Sequence, residues 1–572
     1  MKSRAPLIVL SLLLAVMAAL MLGPMREETA VVDETTYMGG GYAYFKTGSC
    51  KMAEENPLLV QMIIAAPMLA LDVHVPDTAE APARALMEGR AFLPVGWRWN
   101  VTFAPLQELF PFGVNWYHDS VAEAQLFGKI LVYDPQNDAE RLLFWSRFTM
   151  MLLTLATGGL VFLWARQLTR NGWAGAMGAA LWVFNPIALA YGHLAITEPG
   201  IAFAYPLAVW WFVKTADAPT PRNVVLLGVA AALAMQMKFL ALILGPTFVA
   251  LLILEWIRDR KVAPTKTLAK WLGLFVAGAW GATLAVYVPH WSAPPPIDPA
   301  QAAVLRVPGW FQVFRPLLIP SDFFKAVALK LLHSQAGQDA FLCGEWRTMG
   351  WWYYYPLAMW FKTPIPLLVL VGVGAVLLLR SAARRAEFAS LVPWVAAALF
   401  LASALTSTIN TGMRHVLPVY PMLAVGAADQ LARLNRNWQI GAWVLCGWLA
   451  AVAAFAYPHF IPYTNEFCGG TANGYKCLID SNYDWGQDGK RLKKWMNDNK
   501  INHIYLDFFG TQTAVEWHRI PNTRVSAEQA KQIRQGVLVV SVSQLMRPEW
   551  TWLREQRQPD ARISDTLFAY RF

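Results

Sequence analysis

Residues 364–380 read PIPLLVLVGVGAVLLLR, an apolar run that meets its first charge at Arg380. A helix needs about 20 such residues, and as few as about 17, to cross the ~30 Å hydrocarbon core of a bilayer. A helix that is apolar all round must be buried in a large core or in lipid. The run therefore predicts a transmembrane helix.

Comparable runs recur along the sequence, about eleven in all. They lie near 7–24, 144–164, 173–191, 199–213, 223–240, 241–257, 271–289, 364–380, 389–405, 416–431 and 439–457. Hydrophobic residues make up 56% of the 572 residues and charged residues 15%, against roughly 45–50% and about 25% in soluble domains. The sequence thus predicts a polytopic α-helical membrane protein with the lipid bilayer as its surroundings. Disordered, collagen-like and coiled-coil classes are excluded.

The cations indicate how the chain is oriented. Lys+Arg 48 against Asp+Glu 38 gives a net charge of +10, and the basic residues follow every second predicted span, as Arg166, Arg170 and Arg380 do. Short cytoplasmic loops of membrane proteins carry an excess of Lys and Arg. The chain is therefore expected in an inner (plasma) membrane, with its amino terminus on the cytoplasmic side. The carboxyl terminus is expected outside. Topology accounts for the charge, and no nucleic-acid partner is predicted. The run 7–24 is read as a retained span, because no cleavage pattern precedes Arg26.

Three large segments outside the spans fall on the external side. A transmembrane domain, 1–457, contains two of them as loops, 25–143 and 290–363, and the third is the more polar segment 458–572.

The third segment is expected to form a small α/β domain. Residues 504–509 and 537–542 have the apolar and β-branched composition of strands, and 487–499 reads as a helix.

The cysteines agree with this topology. Cys50, Cys343, Cys468 and Cys477 are external on this reading, whereas Cys446 lies within a span. Cysteines on an oxidising face can form disulfides, with several possible pairings, or stay as thiols. Cys468 and Cys477 are closest in sequence and are the favoured pair. No spacing resembles a zinc site, and no metal or cofactor is predicted.

Two adjacent acids, Asp33 and Glu34, follow the first span and precede a stretch that includes Tyr37 and Tyr42. A carboxylate beside the membrane surface could serve as a general base for a membrane-bound substrate. The alternative is a helix amino terminus, where the helix dipole favours acids.

A second acid, Glu198, follows His193 in the short external loop between the third and fourth spans. Glu198 directly precedes Pro199 at the head of an apolar helix, so a capping role is the alternative. A site that uses two carboxylates would need an acid on the same face as Asp33.

Cations on the external side are exceptions to the rule that Lys and Arg concentrate in the cytoplasmic loops. Lys238 lies in apolar sequence, and Arg414 and His415 open the tenth predicted span. A cation in such a place needs an anion. A phosphate would satisfy both Lys238 and Arg414; pairing with a carboxylate or reaching toward headgroups are the alternatives.

Together these residues resemble the GT-C glycosyltransferases of glycosyltransferase family 39, which includes protein O-mannosyltransferases and aminoarabinose transferases acting on lipid A. The resemblance runs through Asp33-Glu34, Tyr37, Gly41-Tyr42, Asn56-Pro57-Leu58-Leu59, Asn137 to Arg147, His193 to Glu198, Lys238-Phe239, Lys362-Thr363-Pro364, Arg414 to Pro418, Tyr457-Pro458-His459 and Asp480 to Asp488.

The resemblance implies a GT-C fold and an inverting transfer of sugar from a polyprenyl-phosphate donor to the hydroxyl of a protein, lipid or glycan. It implies that Asp33 is the base, with Glu34 orienting it or contacting the acceptor, and Glu198 the second acid. Lys238, Arg414 and the adjacent His415 would bind the departing phosphate, where charge accumulates. The chain departs from the family in having Glu198 where Asp is usual and Asn56 where a His-Pro-Pro-Leu element begins.

The alternative function is a transporter or flippase for lipid-linked sugars, which would also need many spans and buried charges. Transporters usually show internal repeats, and the sequence shows none. A noncatalytic scaffold would tolerate replacement of both acids.

Overall fold

The structure, a computed structural model, describes residues 4–53, 56–78, 81–88, 114–259, 265–287, 323, 326–327, 337–382, 388–510 and 512–572. Parts of both predicted external loops, notably 89–113 and 290–322, lie outside these residues.

Within the described residues the chain is mainly helical. The helices are α1 Ala5–Glu27, α2 Glu34–Thr47, α3 Leu58–Ala65, α4 Ala83–Met87, α5 Val114–Val132, α6 Ala139–Thr169, α7 Gly172–Val183, α8 Pro186–Gly192, α9 Glu198–Asp217, α10 Pro221–Met237, α11 Leu244–Asp259, α12 Thr265–Tyr287, α13 Tyr354–Lys362, α14 Ile365–Ala382, α15 Phe388–Leu405, α16 Val419–Leu431, α17 Arg436–Ala456, α18 Gly489–Asp498, α19 Gln512–Trp517, α20 Ala527–Ala530, α21 Val542–Leu545 and α22 Thr551–Gln556. The strands are β1 Ala340–Leu342, β2 Glu345–Arg347, β3 Ile504–Asp507, β4 Asn522–Arg524, β5 Val537–Ser541, β6 Ala561–Arg562 and β7 Leu567–Arg571.

Six described helices are long and apolar enough to cross a membrane, or up to eight spans if each of two bent helix pairs counts as one. Many of their large side chains face outward: Leu379 and Val444 are 70% and 67% exposed, which suits lipid rather than water. The protein is therefore a multi-pass membrane protein, but the expected eleven spans are not confirmed.

One predicted span shows why the count differs. The run 173–191 is divided into α7 and α8, whose axes differ by 64°. Asn185 caps α8, its Oδ1 accepting a hydrogen bond from the Ile187 amide at 3.1 Å, and Pro186 occupies the first position of the helix. Proline is favoured at that position because its missing N–H would be unpaired there. Hydropathy alone does not register such a break.

The chain forms two compact units. Unit one contains Met1–Glu34, Met151–Leu194 and Gln338–Phe572, and unit two contains Thr35–Met150 and Ala195–Gly337.

In unit one, α7 packs against α1 and α16, and α16 also packs against α14 and α15. The α15 contact is close: a Cβ on Gly426 of α16 would lie 2.5 Å from Nε1 of Trp394. Small residues allow such approach between membrane helices.

Unit one also contains the α/β part predicted for the carboxyl-terminal segment. A five-stranded sheet has the order β4-β3-β5-β7-β6. Strands β3, β4 and β5 are parallel, with Leu506 opposite Val539, and β7 is antiparallel to β5 and β6. Apolar side chains form a core on each face of the sheet, and α18 covers one face through Leu492 and Met496.

In unit two, α10 packs against α9 and α12. Helices α2 and α3 also approach closely, because a Cβ on Gly41 would lie 2.1 Å from the backbone oxygen of Gln61.

We expect Gly41→Ala to lower the thermal unfolding midpoint of the detergent-purified protein, since overpacking costs about 1–3 kcal/mol. Gly159→Ala is the matched control: its Cβ would meet no atom within 4 Å, so it should leave the midpoint unchanged or raise it. Equal effects of the two substitutions would contradict the close packing of α2 on α3.

Candidate active site

Asp33 lies in the turn that separates α1 from α2, and Arg414 lies in a short 3₁₀ helix, Met413–Val416, just before α16. Nη1 of Arg414 donates to Oδ2 of Asp33 at 2.7 Å. The two side chains are only 11% and 25% exposed. An acid and a cation that the sequence singled out independently are thus in direct contact within unit one.

Two further groups hold the Arg414 guanidinium. Its Nε donates to Oγ of Ser481 at 3.2 Å, and its Cζ lies 4.2 Å from the centre of the Trp485 ring. An arginine stacked on tryptophan gains a cation–π attraction. The guanidinium is therefore held at its edge and on its face.

Glu34 is fully buried and caps the turn that carries Asp33. Its Oε2 accepts the amide hydrogen of Val31 at 2.9 Å. This contact fits the helix-terminus alternative for Glu34, and it fixes the backbone next to Asp33.

His193 is also fully buried, with Nδ1 2.8 Å from the carbonyl oxygen of Leu189 and Nε2 3.0 Å from Oε2 of Glu28. The carbonyl oxygen can only accept, so Nδ1 donates to it. One proton must then lie between Nε2 and Glu28, either on the imidazole or on the carboxyl group. The sequence reading did not include Glu28, which directly follows α1.

In unit two, Nζ of Lys238 donates to Oε1 of Glu198 at 2.6 Å. Glu198 is fully buried, and its Oε2 accepts from the Thr197 hydroxyl at 3.2 Å. Lys238 has extended backbone between α10 and the 3₁₀ segment Phe239–Ile243. In this state Lys238 therefore has the carboxylate partner that the sequence offered as the alternative to a phosphate.

The remaining expected residues are placed as follows. Tyr37 and Tyr42 are buried on α2. Asn56 precedes α3, and its carbonyl oxygen accepts from Nε2 of Gln61 at 3.1 Å. Nε2 of His415 lies 3.2 Å from Oγ1 of Thr411.

Unit two also contains a polar cavity of about 510 Å³ that is lined by Tyr42, Lys46, Asp72, His74, Arg84 and Glu88 among others. Lys46 Nζ lies 5.3 Å from the centre of the Tyr42 ring.

The stretch Asp480 to Asp488 adjoins the end of α1. Oγ1 of Thr29 donates to the carbonyl oxygen of Gly486 at 2.7 Å and accepts from the Gly489 amide at 3.2 Å. Asp488 immediately precedes α18, accepts from Oγ1 of Thr566 at 2.6 Å and pairs with Arg491. This is a structural helix start, and it lies beside the turn that carries Asp33.

Burial shifts the pKa of the acids in this stretch. It raises the pKa of Asp480 to about 6, against the opposing effects of the Ser481 amide and Arg414, and that of Asp484 to about 7. Burial also raises the pKa of Asp488, but Arg491 together with Ser564 and Thr566 outweighs it, so the net pKa is lowered.

Cys468 and Cys477 form a disulfide with their Cα atoms 6.3 Å apart. Among the described residues, no group of three or more His, Cys, Asp or Glu side chains is arranged to hold a metal ion.

The family model of the dolichyl-phosphate-mannose-protein mannosyltransferases matches residues 142–282. This match agrees with the resemblance to family 39 drawn from the sequence and supports a glycosyltransferase. No curated protein matches the chain significantly.

Several solved structures are similar to the chain at low identity. Apo ArnT from Cupriavidus metallidurans is 13% identical, with a TM-score of 0.45 over 99% of this chain and 98% of that chain. The same protein bound to undecaprenyl phosphate is 12% identical, with a TM-score of 0.45 over the same shares. The Archaeoglobus fulgidus oligosaccharyltransferase tethered to an acceptor peptide is 14% identical, with a TM-score of 0.41 over 91% of this chain and 64% of that chain. Likenesses this weak carry no argument about activity.

We expect Glu198→Gln and Lys238→Met each to destabilise the protein strongly, because removing one partner of a buried ion pair costs about 3–5 kcal/mol. The double variant should lose less than the sum of the two single losses, since neither charge is then left alone. Thermal unfolding midpoints of the four proteins in one detergent measure this coupling. Strictly additive losses would contradict a direct pair.

We expect the stability of the protein to fall as pH rises from about 4 to about 7 through Asp484. The ordinary pKa of Asp is about 3.9, and burial raises that of Asp484 to about 7, so over this window the folded state binds more protons than the unfolded state. Asp484→Asn should make the unfolding midpoint less sensitive to pH between about 4 and about 7. In Asp484→Asn, Asp480, whose pKa burial raises to about 6, should still cause a smaller fall in stability as pH rises. The exposed Asp498→Asn is the control, and an unchanged pH dependence in Asp484→Asn would contradict this assignment.

Proposed function

We propose that this multi-pass membrane protein is an inverting glycosyltransferase that moves a sugar from a polyprenyl phosphate to an acceptor hydroxyl at the external membrane face. The observation that carries the proposal is the contact between Asp33 and Arg414, a base candidate beside a phosphate-binding candidate. The family match over residues 142–282 supports the reaction class.

Asp33 is suited to act as the base. Its Oδ2 is occupied by Arg414, and among the described residues Oδ1 accepts no hydrogen bond. The capped turn and the arginine fix the direction of the carboxylate. With its side chain 25% exposed, Oδ1 can receive the proton of an acceptor hydroxyl within hydrogen-bond reach.

In the proposed step the acceptor oxygen attacks the anomeric carbon as Asp33 takes its proton. The bond from that carbon to the phosphate oxygen breaks on the opposite face of the sugar, so the configuration inverts. The departing lipid phosphate takes the electron pair of the broken bond, and cations at this position stabilise the developing charge. Arg414 is the proposed cation in unit one, and for Lys238 the same role stays a prediction from the resemblance.

Both cations have carboxylate partners in the present state. A phosphate that binds Arg414 must therefore share the guanidinium with Asp33 or displace it. The base and the donor phosphate thus compete for one arginine, and this competition is measurable.

We expect Asp33→Asn to abolish sugar transfer and to strengthen the binding of farnesyl phosphate, because the neutral amide competes less for Arg414. Arg414→Ala should weaken that binding by at least about tenfold, the loss expected for a charge-assisted hydrogen bond. Titration of the purified full-length variants measures both effects, with the exposed Asp498→Asn as the control. If Asp33→Asn binds farnesyl phosphate more weakly than the parent protein does, Asp33 and the phosphate do not compete for Arg414. If this variant still transfers sugar, Asp33 is not the base.

The same variant separates a transferase from a transporter or flippase. A deletion strain should accumulate the polyprenyl-phosphate sugar and lose one glycan, and the parent gene should restore both, whereas Asp33→Asn should not. Lipid and glycan profiling measures this, with membrane abundance of the variant checked by immunoblot. Full restoration by Asp33→Asn would favour transport.

A further inference from the structure

The loop from Asp480 to Gln487 contacts the segment Thr411 to Arg414 through Ser481, Asn482 and Trp485. Oγ of Ser481 donates to the carbonyl oxygen of Thr411 at 2.8 Å, and Oδ1 of Asn482 accepts from the Met413 amide at 2.8 Å. The Ser481 side chain lies so close to the Gly412 backbone that a Cβ on Gly412 would be 2.0 Å from Oγ of Ser481. The loop is therefore fixed against the backbone that carries Arg414.

The loop itself is anchored by buried groups on other elements. The Tyr191 hydroxyl donates to the carbonyl oxygen of Ser481 at 2.7 Å. Nζ of Lys362 donates to the carbonyl oxygen of Asn482 at 2.6 Å, and the Asn482 amide donates to the Tyr354 hydroxyl at 2.7 Å. Ser481 and Asn482 are fully buried. Anchored from several directions, the loop can hold a neighbouring side chain in one orientation.

Two loop side chains contact the Arg414 guanidinium itself. The Ser481 hydroxyl, already committed as a donor to Thr411, has its lone pairs turned to accept from Nε at 3.2 Å. Trp485, which is 2% exposed, covers the guanidinium plane at 4.2 Å. An arginine bound at Nε and on its face presents its terminal nitrogens in one direction, and Nη1 meets Asp33.

We infer that Ser481 and Trp485 are positioning residues that aim Arg414 at Asp33 and at the donor phosphate. That this orientation of Arg414 matters for sugar transfer rests on the proposed function. The positioning of Arg414 by Ser481 and Trp485 does not depend on it. The loop belongs to the polar carboxyl-terminal segment, so that segment contributes to the site and is more than an appended domain.

A loop that only stabilises the fold would show the same buried contacts, so the test needs a readout specific to Arg414. Phenylglyoxal modifies guanidinium groups, and peptide mapping by mass spectrometry gives the modification rate of each arginine in the full-length protein. An arginine released from its contacts should react faster.

Matched controls are available in the same unit. Oγ of Ser543 accepts from the Asp480 amide at 3.1 Å and donates to the carbonyl oxygen of Asp484 at 3.2 Å, so Ser543→Ala loosens the loop without removing a group that contacts Arg414. Phe572 lies 4.3 Å from the Arg557 guanidinium, so Phe572→Leu removes an equivalent ring from a different arginine.

We expect Trp485→Leu and Ser481→Ala each to raise the modification rate of Arg414 by about 3–10-fold, the range expected for a lost cation–π or hydrogen-bond contact. Trp485→Phe should have a smaller effect, because phenylalanine retains a π face. Ser543→Ala should leave the Arg414 rate within about twofold, and Phe572→Leu should raise the rate of Arg557 alone. Farnesyl phosphate should bind Trp485→Leu and Ser481→Ala more weakly by a similar factor.

An Arg414 rate that is unchanged in both Trp485→Leu and Ser481→Ala would overturn the inference. An equal rise in Ser543→Ala would overturn it as well, because loosening of the loop would then explain the effect. If the rates change as expected but neither the parent protein nor any variant transfers sugar, the positioning stands and the proposed function is wrong.

Discussion

The contact between Asp33 and Arg414 is the constraint on which the proposed site depends, because it joins residues 381 positions apart. Two partly desolvated charges of opposite sign are costly to separate and leave alone. The turn after α1 and the start of α16 are therefore tied to each other. The capped turn is part of the first of these elements, the anchored loop contacts the segment just before α16, and the buried histidine contacts Glu28 at the end of α1.

The sequence singled out the charged residues on which the proposed site rests. Asp33, Glu198, Lys238 and Arg414 stand in or beside apolar runs, where an ionised group is expensive and therefore conspicuous. Their partners could not be predicted, because pairing depends on which helix ends meet. Lys238 illustrates this: the sequence favoured a phosphate and left a carboxylate as the alternative, and the structure shows Lys238 paired with Glu198.

Other contributors were harder to find for a different physical reason. Glu28 was not singled out, and Ser481 and Trp485 entered only as part of the resembling stretch Asp480 to Asp488, because a carboxylate, a hydroxyl or an indole costs little in polar or mixed sequence. The strands β3 and β5 were predictable from their apolar composition, whereas the bend between α7 and α8 depends on the cap at Asn185, which a hydropathy reading overlooks. Local composition thus predicted helices and strands, whereas tertiary contacts determine which side chains pair and where a helix bends.

An experimental structure of the protein with a bound polyprenyl phosphate tests the central claim most directly. The account predicts a phosphate oxygen within hydrogen-bond distance, about 3 Å, of a terminal nitrogen of Arg414, with Asp33 released from that nitrogen or sharing the guanidinium. A phosphate bound out of reach of Arg414, with the contact between Arg414 and Asp33 unchanged, would contradict it.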